Sequence, residues 1–131
     1  MSHINWKEML GWNQDVINNL RYTGYIFMKE GQYNSALIYF RALVALHSNN
    51  PYDLQTLGGL LLEIGNATDS IKYLNRALKI APDHGPTSLN RAKALLMLGY
   101  KKEALAVAQV LENNSNMFVA NGATALRLAF K

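Results

Sequence analysis

Apolar residues along this chain recur every three to four positions and never at the alternation of two that a half-buried strand shows, so the pattern predicts helices throughout. Start and stop signals bracket them. Asn13 can cap a helix from Gln14 to about Glu30, and Asn34 one that runs to about His47. Asn50-Pro51 places a cap residue ahead of a first-turn proline, and Gly85-Pro86 does similar work further on. Pro82 stops the helix that carries Ile71, Leu74, Leu78 and Ile80. Two further segments flank this series. Residues 4–12 read as a short amphipathic helix holding Trp6, Met9, Leu10 and Trp12, closed by a break at Gly11-Trp12-Asn13. Residues 117–131 read as a last helix, with Met117, Phe118, Ala125, Leu126, Leu128 and Phe130, covering the open end of what precedes it.

Sliding the chain against itself by 34 residues brings like residues into register. Gly24, Gly58 and Ala92 align, as do Phe27, Leu61 and Leu95, then Gly31, Gly65 and Gly99. Further on, Ala36, Ser70 and Ala104 align, followed by Phe40, Leu74 and Ala108. Each column has a physical reading. A small residue lets a neighbouring helix approach, and the large residue three positions on shares its face. The glycine sits where a helix ends in a left-handed residue. The second small residue opens a second helix, and the residue four places later fills the space between the two. Each unit is therefore helix, tight turn, helix.

A 34-residue helical hairpin with these columns resembles the tetratricopeptide repeat. The middle copy carries the signature most fully, in Leu54, Leu57, Gly58, Leu61, Ser70, Leu74, Ala77 and Pro82. The first copy departs from it at Thr23 and Ser48, the third at Ser88, Arg91, Ala108 and Asn116. The resemblance implies an all-α right-handed superhelix of three repeats, at 17–50, 51–84 and 85–118, with an N-terminal helix over 1–16 and a C-terminal capping helix over 119–131.

Composition and charge narrow the chemistry. The chain has 131 residues, half of them hydrophobic and 17% charged, which suits one domain with a core and excludes intrinsic disorder. Without cysteine there is no disulfide, thiolate metal site or thiol nucleophile. No apolar run approaches the ~18 residues of a membrane span, and no leader pattern opens the chain, so no membrane insertion and a cytoplasmic setting are expected. His3, His47 and His84 lack the spacing of paired metal ligands, and the carboxylates are scattered singly. Gly58-Gly59 belongs to no phosphate-loop motif, and the sequons at Asn66 and Asn113 are read as accidental. No metal, no cofactor and no catalytic constellation is therefore expected, and the protein is not read as an enzyme. A net charge of +4 is small, and the stripe of Lys72, Arg76 and Lys79 reads as a solvated face; no nucleic-acid partner is expected.

What the repeat resemblance leaves is a concave groove lined by the first helix of each unit. Its positions are Asn18, Arg21, Tyr25 and Met28; then Tyr52, Gln55, Gly59 and Leu62; then Pro86, Leu89, Lys93 and Leu96 or Met97. Two tyrosines, several aliphatics and two separated cations suit an extended peptide or a partner helix. Coverage of that groove by the terminal helices is the competing arrangement. The carboxylate clamp of some tetratricopeptide domains does not fit, because its positions hold Arg21, Tyr25, Thr56, Pro86 and Asn90. A narrower resemblance does. Gly31-Gln32-Tyr33, Ala36, Phe40-Arg41-Ala42-Leu43 and Leu57-Gly58-Gly59 are similar to the first two repeats of the type III secretion chaperones that hold translocator proteins. That resemblance implies a bacterial protein that keeps a client's apolar segment soluble without ATP, with a needle-subunit chaperone as a related form. It also implies self-association as a homodimer through Trp6, Met9, Leu10 and Trp12. The alternative is a scaffold or adaptor subunit of a larger assembly, bound on its convex side.

Overall fold

The computed structural model describes residues 6–130, with side chains from residue 14 onward. The described residues form seven α-helices and no strand: α1 (Trp6–Lys29), α2 (Tyr33–Leu46), α3 (Pro51–Glu63), α4 (Ala67–Ile80), α5 (Gly85–Met97), α6 (Lys101–Leu111) and α7 (Met117–Ala129). They fall into two compact units, one reaching to Ser48 and one beginning at Asn49.

In the first unit, α1 and α2 pair as a hairpin. Gly24 makes the approach possible: a Cβ there would lie 2.7 Å from Cε2 of Phe40, whose side chain is fully buried. Tyr25 meets the same ring edge-on at 5.2 Å, and Phe27 stacks on Tyr39 at 5.5 Å, so aromatic pairs lock the two helices. No break occurs at Gly11-Trp12-Asn13, because α1 runs unbroken from Trp6 to Lys29. One glycine costs a helix only about 1 kcal/mol, too little to interrupt six turns. Nor does Asn34 cap α2; Gln32 holds that position without a side-chain bond, because the turn is so tight that the helix restarts at Tyr33.

The second unit repeats the hairpin and adds a lid. In the α3–α4 pair, Leu54, Leu57, Leu61 and Leu74 are completely buried. Each contributes roughly 1.5–3 kcal/mol of burial. A Cβ on Gly58 would stand 2.6 Å from Cδ2 of Leu74, and the Ser70 hydroxyl donates to the Gly58 carbonyl at 2.6 Å. Gly58, Ser70 and Leu74 are thus one close contact, written as three columns of the repeat. In the α5–α6 pair the same columns hold Ala92, Ala104 and Ala108, all buried. Helix α7 packs on α5 and α6, closing a core of Leu89, Ala108, Leu111, Val119 and Ala123.

Turn chemistry sets the hairpin register. Gly31, Gly65 and Gly99 have φ of +74°, +88° and +89°, the left-handed values that favour glycine. After each, the next N–H reaches back five residues, as from Asn66 to the Leu61 carbonyl at 2.8 Å, which satisfies the frayed end of the helix. Asn50 caps α3 by accepting from the N–H groups of Tyr52 and Asp53, Asn66 caps α4, and Asn116 caps α7. His84 takes the cap position of α5, its Nδ1 2.7 Å from Thr87 Oγ1.

Candidate functional site

Within the second unit, α3, α5 and α7 border an open cavity of about 390 Å³. Gly59, Leu62 and Glu63 line it from α3, Asn90, Lys93, Leu96 and Met97 from α5, and Leu126 and Phe130 from α7 and its end. The floor exists because Gly59 has no side chain, and its bare backbone leaves space beside Asn90. The walls are held from behind. Leu62 packs against the buried cluster of Ala67, Leu74 and Ala94, and Leu126 against that of Leu89 and Val119. Arg127, beside Leu126, bonds Glu112 at 2.7 Å and ties α7 to the end of α6. That guanidinium, helped by the Thr124 hydroxyl, holds the Glu112 carboxyl below its ordinary value.

The lining is chemically simple. Leu62, Leu96, Met97, Leu126 and Phe130 supply apolar surface, and Met97 and Phe130 remain about half exposed, at 53% and 46%. Asn90 adds an amide that both donates and accepts, which is what a peptide backbone asks of a partner. Lys93 and Glu63 place one charge of each sign at the rim. Among the residues that line the cavity, none pairs a nucleophile with a base. Among the described residues no three His, Cys, Asp or Glu gather as metal ligands, and no helix is long and apolar enough to cross a membrane.

The expected groove residues divide. Leu62, Lys93 and Leu96 line the cavity together. Leu89 does not: it is 3% exposed and sits under α7, in contact with the position where Gly122 lacks a Cβ. The capping helix covers this one groove position while leaving its neighbours open. Tyr52 is exposed but borders no part of the cavity; its ring lies edge-on to His84 at 5.8 Å. Gln55 is half-buried on α3. Arg21, Tyr25 and Met28 lie on α1, in the first unit, where Tyr25 is engaged with Phe40. Trp6, Met9, Leu10 and Trp12 lie outside the residues whose side chains are described. Glu63, Asn90, Leu126 and Phe130 were not expected at the groove. The signal for the last two was present: Val119, Ala123, Leu126 and Phe130 form one stripe at helical spacing, so a helix that buries the first two brings the others alongside α5.

A family model described as anaphase-promoting complex, cyclosome, subunit 3 matches residues 29–111. No curated protein matches the sequence. The fold is similar to that of the Yersinia enterocolitica type III secretion chaperone SycD in complex with a peptide of the translocator YopD, with a TM-score of 0.79 at 20% identity over 88% of this chain and 92% of that one. The tetratricopeptide domain of Arabidopsis OM64 gives 0.79 at 20% identity, covering 91% and 97%. The second tetratricopeptide domain of human RPAP3, in complex with an HSP70 peptide, gives 0.75 at 18% identity over 88% and 98%. These likenesses establish a tetratricopeptide fold.

Proposed function

This chain belongs to the family described as anaphase-promoting complex, cyclosome, subunit 3, a tetratricopeptide-repeat family, and from that premise we propose that it is a protein-binding module whose α3–α5–α7 groove holds an extended apolar segment of a client. The observation that carries this reading is the composition of the groove. Five apolar side chains, two of them fixed by the core behind, surround one backbone-reading amide. Clusters of anchored apolar side chains in a concave site carry most of the energy of peptide binding. At the finer level we propose a bacterial, cytoplasmic type III secretion chaperone that keeps a secreted client soluble before export. The fold's likeness to SycD, which was captured with a translocator peptide, supports that choice over a scaffold subunit.

Purification of the tagged protein from its own cell, with identification of what accompanies it, tests the finer reading. A secreted, partly apolar client supports the chaperone; a set of soluble assembly subunits supports the scaffold. Variants test the groove itself. Leu62→Glu and Met97→Glu should each weaken client binding at least tenfold, because a carboxylate would face apolar ligand surface. Lys72→Glu with Arg76→Glu, on the outer face of α4, should leave it unchanged.

A further inference from the structure

An arginine stands at a core column of the third repeat. The column holds Thr23, Leu57 and Arg91 in the three copies, and Leu57 is completely buried. Arg91 is half-buried, and its Nε donates to Asn75 Oδ1 of α4 at 2.7 Å. An open hollow of about 470 Å³ lies beside that bond, lined by Asn75, Leu78, Lys79 and Arg91. With the Asn75 oxygen engaged, the polar side chains of the hollow offer donors: the other N–H groups of the guanidinium, the Asn75 amide and the Lys79 ammonium. Among the described residues no acid pairs with Lys79 or Arg91. Helices α4 and α5 carry Lys72, Arg76, Lys79, Arg91 and Lys93 against the single acid Asp69, which accepts from the Asn66 side chain at the start of α4. That excess equals the +4 of the whole chain, so the positive charge is gathered on these two helices and balanced elsewhere.

We propose that this hollow seats a glutamate side chain from an acidic segment of a partner protein, with Lys72, Arg76 and Lys79 attracting the rest of that segment. The lining selects a carboxylate on an aliphatic stem. Asn75 holds the Arg91 guanidinium, so its fork is set before the ligand arrives. Leu78 gives the methylenes of glutamate an apolar surface beside that fork. A nucleic acid finds less here. Its bases need an open aromatic ring to stack on, and the one aromatic residue of α4 and α5, Tyr73, has Lys72 and Arg76 over its ring at 5.4 and 5.5 Å from the centre. A flat anionic bilayer does not follow the hollow down to a guanidinium half-buried between two helices. The hollow shares no lining residue with the client groove, so this contact is independent of what the groove holds.

Titration of the full chain with a labelled oligoglutamate at low salt tests it. Saturable binding should appear below about 1 mM. Arg91→Leu, which restores the residue of the second repeat, should weaken it by about tenfold or more, and Arg91→Lys should not rescue it, because an ammonium lacks the fork. Asn75→Ala keeps every charge and should still weaken binding about threefold, because the guanidinium loses its support. Lys101→Gln removes one positive charge at the start of α6 and should change binding by less than about twofold. Equal losses in Arg91→Leu and Lys101→Gln overturn the proposal, since diffuse charge would then account for the binding. So does a failure to saturate, or tighter binding of a single-stranded oligonucleotide of equal charge or of phosphatidylserine vesicles.

Discussion

Gly58 and Gly59 are neighbours in one helix, yet they do opposite work. A methyl group on Gly58 would meet Cδ2 and Cγ of Leu74 at 2.6 and 2.7 Å, and Leu74 has no exposed surface through which to retreat. Gly58→Ala should therefore destabilise the protein by about 1–3 kcal/mol, the ordinary cost of overfilling a packed core. At Gly59 the nearest group is the Asn90 amide nitrogen, 3.5 Å away, which is ordinary contact. Gly59→Ala should raise helix stability by up to about 1 kcal/mol, since alanine loses less backbone freedom. It should also raise the groove floor and weaken client binding. Paired denaturant titrations check the first two outcomes, and a binding isotherm checks the third. Asn50→Ala removes the acceptor for two N–H groups at the start of α3 and should cost about 1 kcal/mol.

Helix α7 decides whether the groove has a third wall, and its attachment depends on pH. The Glu112 carboxyl is held below its ordinary value by Arg127, so folding favours the charged form. Stability from this contact is fully present above the ordinary glutamate value of 4.5 and is lost as pH falls from there through the lowered folded value. Measured against the intrinsic exchange rate, which itself slows in acid, the amides of α7 should therefore lose protection as pH falls below 4.5, more than those of α3. Glu112→Gln should remove that difference. Equal loss of protection in both helices would show that the pair does not hold α7 in place. The helices themselves were readable because repeat columns report contacts. Positions 58, 70 and 74 are one touching set, and Gly65 is a left-handed helix end. Asn13 misled because a capping residue only favours a helix start. The run of helix-compatible residues on both sides of Gly11 outweighs it, and α1 passes through. Leu89 misled for a different reason. Its place on the first helix of a hairpin points it toward the groove, and only packing by α7, a tertiary contact, removes it from the surface.

For the molecule as a whole, the repeat resemblance predicted helical hairpins and set Leu62, Lys93 and Leu96 in one groove, where Leu62 lines the cavity from α3 and the other two from α5. It could not supply the wall formed by Leu126 and Phe130, because α7 lies outside the repeat register and its docking follows from the core it closes. A client held in this three-walled cavity must lie within reach of its lining residues. A photoreactive phenylalanine analogue placed singly at Leu96, Phe130 or Tyr73 tests it most directly, in the cell that makes the protein. Leu96 and Phe130 line the cavity, while Tyr73 lies on α4 between Lys72 and Arg76. Light should join positions 96 and 130 to one short apolar segment of a single partner, and position 73 should capture nothing from it. Capture of the partner from position 73, with none from 96 or 130, would instead place binding on the outer helices.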